Sequence, residues 1–152
     1  MPPPLRLVLD TNVVIDIFRF RDPSTGPLAQ ALEQGRIRCL TDAGCLEELR
    51  RVLAYPKLKM DETGAARLWQ DYAARAEAVP GSGWPAPLPQ CRDQDDQRFI
   101  ELAARGRADW LLSKDKLVLK LRRSLLPLSF AILRPDEAIE RLERQGPTAI
   151  FP

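Results

Sequence analysis

The sequence predicts an α/β fold in which a parallel sheet lies between helices on both of its faces. Two observations point to this fold. Short apolar runs typical of buried strands alternate along the chain with longer segments whose apolar residues recur at helical spacing. The length of 152 residues suits one core without disulfides or a structural metal. We therefore expect residues 1–152 to form a single domain.

The first half of the chain is predicted to contain two strands and four helices. In order, these are strand 5–9, helix 13–18, helix 27–34, strand 37–41, a helix beginning near residue 42, and helix 61–78. A turn is expected at 22–26, and Gly35 is expected to end the second helix because glycine readily adopts left-handed backbone. Strands that alternate with helices along the chain imply a parallel sheet.

The second half begins with a segment rich in proline and glycine, residues 80–92, which is predicted to be a loop or a poor edge strand. The remaining elements follow in the order helix 95–105, strand 109–113, basic helix 116–123, strand 128–133, and a last helix opened by Pro135. This part is too short to fold alone, so the proline-rich loop is not interpreted as a domain boundary.

Composition excludes several classes of function. The chain has no histidine, which removes the commonest general base and the usual zinc ligand, so a hydrolase of this sequence needs carboxylates and metal ions. A net charge of +2 is too small to indicate nucleic-acid binding by the whole surface, and any basic site must be local. Three cysteines without CxxC spacing, no membrane-length apolar run and no signal-peptide pattern favour a cytoplasmic protein.

Acidic residues follow two of the predicted strands. Asp10 comes directly after the first strand, and Asp115 lies two residues after the strand that ends at Ser113. Functional groups of parallel α/β sheets gather beyond the carboxyl ends of the strands, which makes both acids candidate ligands. Each could instead cap the following helix: a ligand role is favoured for Asp10, whereas capping explains Asp115 equally well.

Three further acids fall on predicted helices. Asp96 shares a helix face with Phe99 and Ile100, where an unpaired carboxylate is costly unless it is capped, paired or bound to a metal. Glu48 lies at the edge of an apolar stripe, and a boundary side chain that reaches water is the commoner role for such a residue. Asp93 is expected to cap the helix of Asp96, with a metal or water contact as the alternative.

Four carboxylates gathered at one sheet edge would repel one another, and oxygen-preferring divalent cations relieve this repulsion. All-oxygen ligation favours Mg²⁺ or Mn²⁺. Such ions polarise a phosphodiester and lower the pKa of bound water. The acids therefore suggest metal-assisted hydrolysis. A haloacid-dehalogenase-like phosphatase also has a strand-end aspartate, but Asp10-Thr11-Asn12 lacks the second aspartate that this chemistry needs.

Three blocks of the sequence resemble the PIN-domain family, in particular the VapC-like toxins of toxin–antitoxin systems. The blocks are LVLDTNVVID at 7–16, LEELRRVLAYPKL at 46–58 and CRDQDDQRFIELAARGRADWLLSKDKLVL at 91–119. With the closing LRPDEAIERL, the similarity spans nearly the whole chain. The resemblance implies a three-layer α/β/α fold with about five parallel strands and metal-dependent endoribonuclease activity.

The resemblance also implies a set of site residues. The four family acids fall on Asp10, Glu48, Asp96 and Asp115, which would act as catalytic residues and ligands for Mg²⁺ or Mn²⁺. A second group of polar residues, which includes the helix-capping Asp93, would orient the acids or bound water: Thr11, Asn12, Asp93 and Ser113. Lys114 replaces the glycine that the family usually has in this turn, and a lysine there would alter the turn that orients Asp115.

RNA is the expected substrate, and contacts are predicted from a group of basic residues near the acids: Lys114, Lys116, Lys120, Arg122 and Arg123, with Arg19 and Arg21 after the first helix. A solvated helix face is an equally good interpretation of these charges. Trp84 could stack on a base or cover the core. A small antitoxin protein and a second copy of the chain are possible partners. The rival hypothesis is a non-catalytic PIN-like module that binds RNA or protein.

Overall fold

The computed structural model describes residues 3–20 and 23–145. Its strands, labelled in chain order, are β1 (Leu5–Leu9), β2 (Ile37–Thr41), β3 (Glu77–Ala78), β4 (Trp110–Leu112) and β5 (Ala131–Leu133). Its helices are α1 (Thr11–Ile15), α2 (Gly26–Glu33), α3 (Ala43–Leu53), α4 (Glu62–Arg75), α5 (Gln94–Arg105), α6 (Lys116–Leu119) and α7 (Pro135–Gln145). The strands form one parallel sheet in the order β3-β2-β1-β4-β5, so the predicted α/β fold is confirmed.

The central strand β1 explains why the core has two layers. Its side chains alternate between the two faces of the sheet, and Leu7, Val8 and Leu9 are almost completely buried. Leu7 and Leu9 pack with residues of α1 to α4 and α7 on one face, whereas Val8 packs with α5 and α6 on the other. A strand buried on both faces has a continuous apolar sequence, which is why the run at 5–9 predicted a buried strand.

Strands β1 and β2 have the predicted boundaries, and Gly35 follows the end of α2 with a left-handed φ of +73°. The chain ends α1 with a π-helical turn at Asp16–Phe20. Part of the turn predicted at 22–26 lies outside the described residues, and Pro23–Thr25 form a 3-10 turn. The basic helix is shorter than predicted, because Lys120–Arg123 continue α6 as a 3-10 turn.

Two predicted boundaries are wrong for physical reasons. Helix α4 ends at Arg75, and Glu77–Ala78 instead extend the sheet as β3. The Glu77 carboxylate accepts hydrogen bonds from Arg6 and Arg38 on β1 and β2, which favours the strand over another helical turn. The strand predicted at 128–133 forms only over β5, because its partner β4 has only three residues with which a neighbour can pair.

The described helices lack the length and apolar character needed to span a membrane. The longest is α4 with 14 residues, and its exposed face contains charged side chains. Parallel strands place the ends of β1, β2 and β4 at one edge of the sheet, where α1, α3 and α6 begin. This edge is therefore where the predicted acids can meet.

Candidate metal centre

Asp10 joins the end of β1 to the beginning of α1 and is buried, with 4% of its surface exposed. Its Oδ1 accepts a hydrogen bond from the Val13 amide at 3.0 Å, which makes Asp10 the N-cap of α1. Its Oδ2 accepts a hydrogen bond from the Ser113 hydroxyl at 2.5 Å. A carboxylate has about four lone-pair positions, so capping leaves each oxygen of Asp10 able to bind a cation.

Ser113 connects Asp10 to the loop that holds Asp115. It follows β4 and is fully buried, and its Oγ accepts a hydrogen bond from the Asp115 amide at 3.0 Å while donating to Asp10. The Asp115 carboxylate in turn accepts from the Leu117 amide at 2.8 Å and caps α6. The capping role that was considered for Asp115 is thus present, and it fixes the carboxylate close to Ser113.

A group of three carboxylates lies where α5 begins. Carboxylate oxygens of Asp93, Asp96 and Asp115 all lie within 4.8 Å of one another. Asp93 caps α5 by accepting a hydrogen bond from the Asp95 amide at 2.9 Å, as predicted. Asp96 is half-buried one turn into this helix. Asp93 was predicted as a cap and a supporting residue, with a metal or water contact as the alternative, and its place among these carboxylates makes it a candidate ligand as well.

The electrostatics of these acids differ from those of ordinary surface carboxylates. Burial raises the pKa of Asp10 to about 6, although the hydrogen bonds from Ser113 and Val13 oppose the shift. Burial also raises the pKa of Asp96 to about 7, and the negative charges of Asp93, Asp115 and Asp10 add to this increase. Near neutral pH, these carboxylates therefore have too little positive charge around them to balance their own negative charge.

The three carboxylates lie close enough together to be drawn around one small divalent cation. Mg²⁺ binds oxygen at about 2.0–2.1 Å in octahedral geometry, so neighbouring ligands stand about 3.0 Å apart and opposite ones about 4.2 Å. Three ligands of one ion include at least two neighbouring pairs, so carboxylate oxygens that lie within 4.8 Å of one another would move closer together on binding it. Carboxylate oxygens are also the ligand type that Mg²⁺ and Mn²⁺ prefer. Asp93, Asp96 and Asp115 can thus hold such an ion, with Asp10 beside them.

Glu48 is buried on α3, with 8% of its surface exposed, rather than reaching water as a boundary residue. Its Oε2 accepts a hydrogen bond from the Thr11 hydroxyl at 2.7 Å. Thr11 directly follows Asp10, so this bond links Glu48 to the start of α1. Glu48 is absent from the three-carboxylate group and from the charges that chiefly shift the pKa of Asp10 or Asp96.

The remaining polar residues of the prediction lie around this edge. Asn12 is exposed, and its side chain makes no hydrogen bond within the described ranges 3–20 and 23–145. Lys114 forms an ion pair with Asp16, in the π-helical turn after α1. Left-handed backbone outside glycine occurs, among the residues described, at Lys59 and Arg107, so the turn at Lys114 does not require a glycine.

The predicted basic residues are mostly exposed on α6 and the 3-10 turn after it. Lys116, Lys120 and Arg123 are exposed and form no ion pair with any residue that the structure describes. Arg122 pairs with Glu137 at 2.8 Å. Arg19 lies in the π-helical turn, and Arg21 lies outside the described residues. Trp84 is 40% exposed and is not part of either core layer.

Two features of this edge were missed in the sequence. Asp16 was not recognised as a partner of Lys114, because the change from α- to π-helix after Ile15 alters which residues share a face. The buried ion pair between Asp42 and Arg105, with 2.5 Å between Oδ2 and the guanidinium nitrogen, joins residues that are 63 positions apart. Neither pair leaves a local pattern in the sequence.

The fold and the acids together define a class: three-layer α/β/α proteins with a carboxylate centre at the carboxyl edge of a parallel sheet. A family model described as "PIN domain" matches residues 6–117. The chain therefore belongs to the PIN-domain family, whose members are generally nucleases that use divalent metals. It is thus a hydrolase of that broad kind. No curated protein matches the chain.

Proposed function

We propose that the protein is a Mg²⁺- or Mn²⁺-dependent endoribonuclease that hydrolyses RNA phosphodiester bonds. The observation that supports this best is the group of Asp93, Asp96 and Asp115 oxygens within 4.8 Å of one another, connected through Ser113 to the buried Asp10. Such a group is costly without a cation and suited to one. The PIN-domain match supplies the reaction class.

The residues at this centre would have different roles. Asp10, Asp96 and Asp115 would bind the cation, with Asp93 as a further candidate, and Glu48 would support Asp10 through Thr11. Ser113 would hold Asp10 and Asp115 in one relative orientation. A bound divalent cation would supply charge neutralisation at the phosphodiester and an activated water as nucleophile.

The basic surface supports a nucleic-acid substrate. Lys116 follows Asp115 directly, and Lys120 and Arg123 come in the next turns, so unpaired positive charge begins beside the acids. Phosphate groups outside the cleavage position need such charges, because the carboxylates themselves repel them. Lys114 would reach a phosphate only by leaving Asp16, its present partner.

The biological role that we propose is that of a cytoplasmic toxin paired with a small antitoxin protein. It rests on the similarity of the blocks at 7–16, 46–58 and 91–119 to such toxins. Self-association into a homodimer belongs to the same proposal. A neighbouring gene for a small protein that binds this chain and blocks RNA cleavage would support it, and a chain that cleaves RNA but does not slow growth when produced in cells would contradict it.

The cleavage experiment compares the wild type with Asp10→Asn on a mixed RNA pool in Mn²⁺. We expect the substitution to lower the cleavage rate by at least about 100-fold, because loss of a ligand should exceed the effect of losing a residue that merely supports one. Asparagine keeps the cap to Val13, so the circular dichroism spectrum should not change. The matched control is Asp61→Asn, which alters an exposed cap on α4.

The same experiment separates the rival function. A non-catalytic RNA- or protein-binding module predicts no cleavage by the wild type at saturating Mn²⁺, together with RNA retention that Asp10→Asn leaves unchanged. Cleavage that is equal in the wild type and in Asp10→Asn would show that another site, or a contaminant, is responsible. Either result would contradict the proposed function.

A further inference from the structure

A cavity of about 500 Å³ lies beside the carboxylates at the same edge of the sheet. Its walls are the start of α3, one face of α5 and the loop between β3 and α5. Its size is within the range of about 300–1,000 Å³ that is typical of small-molecule sites. Cys91 and Gln94 of its wall flank Asp93, the N-cap of α5, in the chain. Gln94, Arg98 and Glu101 share one face of α5, and Asp96 lies on the other side of this helix. The cavity therefore adjoins the candidate metal centre at Asp93.

Arg105 holds the walls of this cavity together. Its guanidinium donates to the Pro80 carbonyl at 2.9 Å, to the Gly83 carbonyl at 3.1 Å and to the Asp42 carboxylate. A Cβ on Gly81, whose φ is +87°, would meet the Arg105 side chain at 3.5 Å. The loop is thus held against α3 and α5 by hydrogen bonds from a charged donor, and the cavity does not depend on a ligand to form.

The charges of the cavity favour a ligand that donates hydrogen bonds. Arg105 is neutralised by Asp42. Arg98 donates to the Gly44 and Asp95 carbonyls and pairs with the Asp95 carboxylate. Glu101 is half-buried and has no ion-pair partner among the residues described. The two acids and two bases of the wall balance in charge, so the cavity has no excess positive charge for a phosphate, and the Glu101 carboxylate is left to accept hydrogen bonds.

We propose that this cavity binds the guanine base of the nucleotide next to the cleaved phosphodiester. The location of that phosphodiester at the carboxylates rests on the proposed function. Because the cavity adjoins them, a strand with one phosphate at the metal centre has its neighbouring base within reach of α5. Bases of single-stranded RNA are recognised in this way, unstacked and bound by their Watson–Crick edge.

Glu101 selects guanine through the geometry of its carboxylate. Guanine offers two adjacent donors, N1–H and the N2 amino group, to the two oxygens. Uracil offers one N–H between two carbonyl oxygens, which a carboxylate repels. Adenine and cytosine offer one amino group beside an unprotonated ring nitrogen. Gln94 is exposed at the cavity wall and can bind a remaining edge of the base with its amide.

The binding test uses guanosine and uridine 5′-monophosphates with the full chain in EDTA, followed by amide chemical shifts. We expect guanosine monophosphate to shift resonances of Gln94, Gln97 and Glu101 and to bind about 10-fold more tightly than uridine monophosphate. Glu101→Gln should lower the affinity for guanosine monophosphate about 10-fold. The matched control, Glu143→Gln, changes an exposed glutamate on α7 and should bind like the wild type.

Three outcomes would overturn the inference: equal binding of the two nucleotides, unchanged selectivity in Glu101→Gln, or shifts that map outside the cavity. Inorganic phosphate serves as a further probe, and phosphate-induced shifts of the cavity amides would show an anion site instead. Spectral dispersion shows whether Glu101→Gln remains folded. Gln94→Ala, at an exposed position, gives a second variant, with an expected affinity loss of about 3-fold.

A cleavage test separates this inference from the proposed function. In Mn²⁺, RNA oligonucleotides that differ at one position should be cut next to guanine, and Glu101→Gln should lower that cleavage to the rate seen next to the other bases. Cleavage without base preference would contradict the base site and leave the nuclease proposal intact. Guanine-selective binding in EDTA without any RNA cleavage would contradict the nuclease proposal and leave the base site intact.

Discussion

Asp10 and Asp42 occupy equivalent positions at the ends of neighbouring strands. Each follows a strand directly, β1 and β2 respectively, and each is buried, with 4% and 6% of its surface exposed. Each also caps the next helix by accepting a hydrogen bond from the amide three residues on, Val13 and Cys45. In backbone position and local hydrogen bonding, the two aspartates are nearly the same.

Their partners differ. Asp42 has a full positive charge against it, because Arg105 places a guanidinium nitrogen 2.5 Å from Oδ2. Asp10 has the neutral hydroxyl of Ser113 against it and the opposing charges of Asp115 and Lys114 nearby, and burial raises its pKa to about 6. The fold thus compensates the charge at β2 with its own residues and leaves the charge at β1 for a ligand to compensate. This difference separates a structural aspartate from a candidate functional one.

The largest predicted effect comes from neutralising Asp42. We expect Asp42→Asn to lower the free energy of unfolding by about 3–5 kcal/mol, because it leaves the Arg105 guanidinium buried without a counter-charge. Asparagine can still cap α3, so the decrease in unfolding free energy measures the loss of the ion pair and not the loss of the cap. Urea unfolding followed by circular dichroism measures the change.

Asp61→Asn is the matched control for this prediction. Asp61 caps α4 through the Gly64 amide at 2.7 Å from an exposed position, so its change should stay within about 0.5 kcal/mol. If Asp42→Asn were as stable as the control, the Arg105 pair would not compensate the buried charge. The contrast between the two strand-end aspartates would then be lost.

The second prediction concerns how Asp10 makes the stability of the metal-free protein depend on pH. Its pKa is raised from 3.8 to about 6, so the folded state holds the proton more strongly than the unfolded state does. The stability that protonation gives is present below about pH 4 and is lost as the pH rises to about 6. At pH 8, Asp10→Asn should therefore be more stable than the wild type by about 2–3 kcal/mol.

Unfolding in EDTA at pH 4, 6 and 8 tests this prediction, because acids that do not interact with Asp10 cancel in the difference between wild type and variant. The difference should be small at pH 4, increase to pH 6 and change little above pH 7. Adding Mn²⁺ at pH 8 should raise the melting temperature of the wild type more than that of Asp10→Asn. A difference that does not vary with pH would mean that the Asp10 charge costs nothing in the fold.

The sequence predicted the sheet and much of the site because these depend on local patterns. The strand at 5–9 and the strand-end position of Asp10 follow from an apolar run that ends in an acid. Asp96 was found from its place on the same helix face as Phe99, and its half-buried carboxylate in the structure agrees with that argument. The helix predicted through 78 failed because β3 forms through contacts of Glu77 with distant arginines.

The contrast between Asp10 and Asp42 could not be predicted in the same way. Ser113 is 103 residues from Asp10, and Arg105 is 63 residues from Asp42. Nothing in the local sequence distinguishes an aspartate that will meet an arginine from one that will meet a serine. A metal contact was only the alternative to capping for Asp93 for a similar reason, since its nearness to Asp115 depends on how β4 packs against α5.

The smallest predicted effect concerns the neutral partner of Asp10. Ser113→Ala removes the donor to Asp10 Oδ2 and the acceptor for the Asp115 amide, so two candidate ligands lose their common support. We expect Mn²⁺ affinity, measured by calorimetry, to fall by about 10–100-fold, as is usual when a residue that orients metal ligands is removed. The far-ultraviolet circular dichroism should not change.

Ser124→Ala is the control because Ser124 also accepts a hydrogen bond from the amide two residues on, that of Leu126 at 3.1 Å. Ser124 makes no hydrogen bond to a carboxylate of the described residues, so Mn²⁺ affinity should stay at the wild-type value. Equal Mn²⁺ affinity in Ser113→Ala and Ser124→Ala would mean that Asp10 and Asp115 keep their orientation without Ser113. The cation would then be held by the carboxylates at the start of α5, and Asp10 would act beside the ion instead of binding it.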